Sequence, residues 1–198
     1  MDDCEVRSCA RGVLYLSRNY LVDTSVRIHG SSFQTISRNA LRVDVRSTIR
    51  TVPVGTHRTV DICRNTFDDV CDINLFTRPK VNLTFYDNTL TNCQCRQSPQ
   101  ECLVRALTIF SRLVPNRVTD VSGNVFRNNS DQCLVRLTTL PARATLHATF
   151  AHNQLLDNDV TRGVVLLESP HFTLTQNLFD NPASPFDVRA TIASKKRD

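Results

Sequence analysis

Two aspartates in this sequence stand where paired carboxylates could do chemistry. Asp61 and Asp120 hold the same outward place in two copies of one eight-residue phrase. Copies stacked at about 4.8 Å would set them roughly 10 Å apart. That is the upper edge of the separation at which one carboxyl protonates a glycosidic oxygen and the other activates water. Thr84 holds the place between them, so two solvated carboxylates are the expected reading. His147 and His171 each precede an Asn anchor by six residues, and as neighbours they could hold a metal weakly. No carboxylate or Cys shares their register, and neither a Gly-rich phosphate loop nor a nucleophile elbow occurs. The expectation is a non-catalytic chain with no metal and no cofactor.

Val45-Arg46, Val104-Arg105, Val135-Arg136 and Val188-Arg189 open similar phrases and suggest an outward row of Arg46, Arg105, Arg136 and Arg189. Such a row would suit an acidic glycan or an acidic protein. Solvated arginines whose stems cover a sheet are the plainer expectation. The eight cysteines are Cys4, Cys9, Cys63, Cys71, Cys93, Cys95, Cys102 and Cys133, and sequons add glycosylation candidates at Asn82 and Asn128. An even count with sequons points to an extracellular chain with disulfides; a cytosolic protein with buried thiols is the competing reading. Cys71, Cys102 and Cys133 take equivalent places before a strand in three successive repeats, so neighbours among them fall within disulfide range. Cys93 and Cys95 lie in the adjoining loop, and the connectivity stays open. Cys4 and Cys9 are expected to close a small N-terminal loop. Cys93-Gln-Cys95 with Cys102 lacks the second pair that a zinc finger requires.

The elements that would position these residues follow from the phrase, apolar-x-apolar-x-x-Asn-x-Phe/Leu. It reads Val60-Asp-Ile-Cys-Arg-Asn65-Thr-Phe67, then Leu83 to Leu90, Thr119 to Phe126, Ala148 to Leu155 and Phe172 to Phe179. An earlier copy, Val26 to Phe33, has Ser31 in the Asn place. Period-two alternation marks a strand with one buried face. The Asn marks a tight bend, where its side chain bonds nearby backbone and left-handed angles are tolerated. A second strand precedes most copies, with Pro79, Pro115, Pro141 and Pro170 between the two as corners. The anchors 31, 65, 88, 124, 153 and 177 are 34, 23, 36, 29 and 24 residues apart, near the period of a solenoid coil.

The predicted fold is therefore all-β, a right-handed parallel β-helix solenoid of about six to seven coils. Asn65, Asn88, Asn124, Asn153 and Asn177 would form one ladder, and Phe33, Phe67, Leu90, Phe126, Leu155 and Phe179 another. A β-sandwich is the alternative, but it gives no reason for one residue type at one point of every strand pair. Residues 1–11 read as an N-terminal segment, 12–192 as the β-helix domain and 193–198 as a disordered basic tail.

With 198 residues, 40% hydrophobic and 22% charged, the chain supports one sizeable core. No apolar run approaches the roughly 20 residues of a membrane helix. A net charge of +5 without aromatic-rich basic stretches argues against nucleic acid. The start lacks the apolar core of a signal peptide, and Met1 is the only methionine, so a segment of a longer protein is expected. The long insertions at 51–57 and 92–101 are the places for recognition loops.

The repeated Asn-x-Phe anchors, above all Gln176-Asn-Leu-Phe-Asp-Asn-Pro-Ala-Ser-Pro-Phe186, resemble the pectin-lyase-like β-helix segments of large animal cell-surface proteins of the Bark beetle/Anakonda tricellular-junction type. The resemblance implies a non-catalytic extracellular adhesion module. Its partners would be other extracellular proteins or neighbouring domains of the same chain. The scavenger-receptor, lectin-like and transmembrane parts of that family are not in this sequence. A secreted carbohydrate-active enzyme, lyase or hydrolase, or a glycan-binding protein is the alternative.

Overall fold

The computed structural model describes residues 1–9, 12–17, 24–38, 40–45, 58–77, 81–94, 102–109, 118–140, 147–168 and 172–190. Every regular element among them is a β-strand, and every strand pairing is parallel. The arrangement is compatible with a parallel β-solenoid. The first sheet has seven strands, Glu5–Cys9, Ser32–Ile36, Thr66–Val70, Thr89–Thr91, Val125–Arg127, Gln154–Leu156 and Leu178–Asp180. The second also has seven, Val13–Ser17, Leu41–Val45, Ile73–Thr77, Cys102–Ile109, Cys133–Leu140, Val165–Glu168 and Val188–Ala190. The third has six, Thr24–His29, Arg58–Cys63, Asn82–Tyr86, Val118–Ser122, His147–Ala151 and Phe172–Thr175. Ser130–Asp131 and Asp159–Val160 add a two-stranded piece. The chain visits third, first and second sheet in turn, so each passage is one rung.

Three strands per passage, and not two, is the first difference from the sequence reading. The Phe or Leu two residues after each Asn sits in its own strand, which is only three residues long at Thr89–Thr91, Val125–Arg127, Gln154–Leu156 and Leu178–Asp180. Alternation cannot show in a strand that short. The first sheet already begins with Glu5–Cys9, paired to Ser32–Ile36, inside the stretch read as a separate N-terminal segment. The basic tail and all four corner prolines lie outside the described residues.

Cross-rung register puts like residues together. Phe33 pairs with Phe67, Phe67 with Leu90, Leu90 with Phe126, Phe126 with Leu155 and Leu155 with Phe179. Phe33, Phe67, Leu90, Phe126 and Leu155 are fully buried. The Phe33 and Phe67 rings stack with centroids 4.7 Å apart, an offset arrangement that adds to burial.

The bend is held by side-chain amides. The Oδ1 of each Asn accepts from both the backbone N–H and the Nδ2 of the preceding rung's Asn, from Asn65 to Asn88, Asn124, Asn153 and Asn177, at 2.9 to 3.1 Å. Each Nδ2 also donates to a carbonyl of an earlier rung, as Asn124 does to Phe85 O at 2.9 Å. Ser31 joins by giving its N–H to Asn65 Oδ1. The left-handed residue is not the Asn but the one before it, Arg64, Asp87, His152 and Gln176, or Gly30 and Gly123. The preceding residue reverses the chain so that the Asn can aim inward. At Gly123, with φ +65°, a Cβ would lie 2.4 Å from Asp87 Oδ1.

A second ladder runs four or five residues on. Cys93 N–H donates to Asn129 Oδ1, and Asn129 and Asn158 pass the same paired bonds on to Asn158 and Asn181. The doublets Asn128-Asn129, Asp157-Asn158 and Asp180-Asn181 were its signal in the sequence.

Phe126→Ala is expected to cost about 3 to 5 kcal/mol. The adjacent, exposed Arg127→Ala should stay within about 0.5 kcal/mol of the parent protein. Asn124→Ala leaves the buried Asn88 backbone N–H without its acceptor, at about 1 to 3 kcal/mol, while Asn88 Nδ2 keeps its bond to Ile62 O. Urea unfolding of the three variants measures the order, and equal midpoints would contradict it.

Candidate functional site

The outward row of the third sheet runs Arg27, Asp61, Thr84, Asp120, Thr149 and Thr173. Thr84 Oγ1 donates to Asp61 Oδ1 at 2.5 Å, which occupies that carboxylate and fills the gap in front of it. Asp120 is two rungs on, at about 9.6 Å by strand spacing. It is half-buried, and its Oδ1 is enclosed without a partner. Burial pushes its carboxyl above the usual range, while a Ser122 hydrogen bond and the charge of His152 pull it down. Neither aspartate is the fully solvated group that the sequence suggested. Next to them Cys63 and Tyr86 are cross-rung neighbours, and the Cys63 thiol pushes the Tyr86 phenol upward. His147 lies opposite Val118, whereas His171 is outside the described residues. Among the described residues no cluster of three metal-ligating side chains occurs.

On the second sheet the register corrects the arginine row. Arg42 aligns with Asn74, Asn74 with Arg105, Arg105 with Arg136, Arg136 with Leu166 and Leu166 with Arg189. Arg46 lies outside the described residues, and Val45 before it aligns with Thr77, so the row passes through Arg42 instead. The Val-Arg likeness of the sequence ran four residues out of register there. The Arg42 guanidinium carbon lies 5.6 Å from the Phe76 ring centroid, and its Nε is buried without a partner. With Asp44 and Asn74 buried on the same strands, the face is partly covered around Arg42, and the side chains of Arg105 and Arg189 lie outside the described residues.

Cysteine placement also differs in part. Cys102 aligns with Cys133, and the pairing of Ile73 with Val104 sets Cys71 opposite Cys102. Cys71 and Cys133 are disulfide-bonded, and Cys95 is outside the described residues. Cys4, Cys9, Cys63 and Cys93 are free. Cys4 and Cys9 flank a paired strand, Glu5–Cys9, and do not close the N-terminal loop that the sequence suggested. Cys63 is buried, and Cys93 stands in the second amide ladder with its Sγ donating to Phe67 O at 3.7 Å. Burial pushes the Cys93 thiol up to about 12.

The first sheet carries an open groove among the described residues. A groove of about 450 Å³ is lined by Gln34, Thr66, Asp68, Thr91, Asn92, Arg127 and Asn128. Gln34, Asp68, Thr91 and Arg127 form one outward row, placed by strand register. Asn92 and Asn128 stand beside it in left-handed conformation, just before the second ladder. Asn128 Nδ2 donates to Asn92 Oδ1 at 2.6 Å, Asn92 Nδ2 to Asp68 Oδ1 at 2.8 Å, and Thr91 Oγ1 to the same oxygen at 2.9 Å. The chain of bonds fixes a carboxylate and two amides across three rungs and leaves the exposed Arg127 at the rim. In the sequence Asn128 stands out only as a sequon residue, and the groove leaves no sign there because its members are far apart in the chain. The other sequon residue, Asn82, opens a third-sheet strand and is half-buried. Residues 51–57 and all but Asn92, Cys93 and Gln94 of the second insertion lie outside the described residues.

No family model, curated protein or solved structure matches the chain.

For Asp120 the sign is set by the raised carboxyl. Its protonated form is favoured in the folded state. Folding is therefore helped below the ordinary aspartate value of about 3.9 and loses that help as pH rises through the folded value. Asp120→Asn should melt higher than the parent protein at pH 7, with the difference vanishing near pH 3. Thermal melts across that range check it, and a difference independent of pH would contradict the assignment.

Proposed function

We propose that this chain is a non-catalytic extracellular recognition module. In this reading it is a right-handed parallel β-helix of six to seven coils, one segment of a larger cell-surface protein of the Bark beetle/Anakonda type, and it works in cell contact. Right-handed connection is the general rule for parallel strands. Seven strands in two sheets and six in the third agree with the coil number.

One observation carries the reading. The residues that define the repeat all face inward, while the outward row of the first sheet holds unlike polar groups locked by cross-rung bonds into an open groove. Such a surface meets a partner with little rearrangement, and rigid presentation limits the entropy lost on binding. The resemblance supports the adhesion role. The cysteines and the exposed Asn128 support an extracellular place. Other extracellular proteins are the partners, with neighbouring domains of the same chain as the alternative source.

A glycan is the second reading, favoured by the groove itself. Three amides, two hydroxyls, a carboxylate and a guanidinium offer both donors and acceptors to sugar hydroxyls. Hydrolysis is disfavoured by Thr84, which ties up Asp61 and stands between the two aspartates.

The test is display of the protein on one cell population behind a secretion signal, mixed with unmodified cells of an epithelial line. Adhesion above that of a displayed control is expected, and the triple change Asp68→Ala, Asn92→Ala, Arg127→Ala should reduce it at least tenfold without lowering surface level. Polysaccharide cleavage that is abolished by Asp120→Asn would overturn the proposal, as would adhesion untouched by the triple change.

A further inference from the structure

One lining residue of the groove is also the acceptor of a glycosylation sequon, Asn128-Asn129-Ser130. The fold sorts that tripeptide by direction: Asn128 and Ser130 are exposed, while Asn129 between them is buried and gives its N–H to Asn158 in the second ladder. The left-handed backbone at Asn128, φ 54°, turns its side chain out just before the ladder turns in. A group bonded to the Asn128 amide therefore stays outside the core.

That amide already points along the groove. Its Nδ2 lies 2.6 Å from Oδ1 of Asn92, the neighbour one rung back on the side of Asp68. A carboxamide nitrogen has two hydrogens, and one is enough for this bond. The other can be replaced by a sugar carbon with the contact kept.

The groove also has polar groups to spare. Among the described residues the side chains of Gln34, Thr66 and Arg127 have no hydrogen-bond or ionic partner, and both bonds to Asp68 fall on Oδ1, which leaves Oδ2 open. Arg127 aligns with Thr91 and Thr91 with Asp68, so the carboxylate stands two rungs, roughly 10 Å, back from the arginine. An acetylated amino sugar brings hydroxyls and an amide, which suit a guanidinium, a carboxylate oxygen and a carboxamide in a row. The 450 Å³ of the groove falls in the range of small-molecule sites, about 300 to 1,000 Å³.

From this we infer that Asn128 is N-glycosylated and that the first sugars of its own glycan lie along the groove, so that occupancy of the sequon decides whether a partner can enter. The inference rests on the extracellular recognition reading above. In the step, an oligosaccharide leaves a lipid pyrophosphate donor: the bond from sugar C1 to the pyrophosphate oxygen breaks and a bond from C1 to Asn128 Nδ2 forms. The nitrogen gives up one proton, and the lipid pyrophosphate departs. Chains that carry the glycan have a closed groove, and the adhesion expected above comes from chains that do not.

The test uses the full chain secreted from cultured animal cells behind a secretion signal. Glycopeptide mass spectrometry should find glycan on Asn128 and none there in Ser130→Ala, a change that removes the sequon and no groove residue. An amidase that cuts the bond between Asn and sugar should release this glycan at least tenfold more slowly from folded protein than after urea. The double change Asp68→Ala, Arg127→Ala should make release from the folded protein fast, with the melting temperature kept. In the display assay Ser130→Ala should raise adhesion at least threefold. An unmodified Asn128, equally fast release from folded and unfolded protein, or release untouched by the double change would overturn the inference. So would adhesion that Ser130→Ala leaves unchanged. Adhesion that the triple change abolishes, together with any of these results, would leave the recognition reading standing. Slow release that the double change relieves, with no adhesion in any form, would do the reverse.

Discussion

The side-chain amide that replaces a backbone partner at the bend is the interaction on which this molecule depends. Where the chain leaves one sheet for the next, its N–H groups turn inward and lose the ladder that served them. A carboxamide is the side chain that can take two donors on one oxygen and return a donor to a carbonyl. Asn124 does all of this within the core, accepting from Asn88 and giving to Phe85 O. Since its partner is the same atom set one rung away, identity at the bend is enforced from rung to rung. The stacked rings of Phe33 and Phe67 then follow from register, not from any separate preference.

This dependence also explains what was legible in the sequence. Six Asn or Ser anchors and the Phe or Leu two residues later were visible because the ladder demands one residue type at one place. The second ladder has a hydrophobic or thiol member at Ile36, Val70 and Cys93 before it turns to Asn129, so its pattern is diluted over half its length. The left-handed position tolerates Arg64, Asp87, His152 and Gln176 alike, and such variety leaves no signature. The arginine row was misplaced at its first member because local likeness of Val-Arg pairs does not encode register, whereas strand pairing does. The groove could not have been read at all, since Gln34, Asp68, Thr91 and Arg127 are joined only by stacking.

The three faces have unlike fates. The second sheet's is partly covered around Arg42, with Asp44 and Asn74 buried on it. The third holds two aspartates, one held by Thr84 and one with an enclosed oxygen that has no partner. Among the described residues, the first presents a groove of polar side chains whose positions are fixed by their own bonds. Recognition on that face leaves the ladders inside undisturbed, because outward and inward residues alternate along every strand.

Parallel strands in register place every interstrand hydrogen bond along the axis of the stack. A pull between its two ends therefore acts along those bonds rather than across them. Each interface must carry the whole load by itself, as links do in a chain, while the three sheets share it within one interface. Yielding starts at the weakest link and proceeds one passage at a time. Among the described passages the last is the most thinly packed, with Leu174 of the inward row and the outward Leu178 both exposed, and it would give first. A pull on such a stack would meet a body that lengthens in small steps, absorbing work at each, instead of a rod that fails at once.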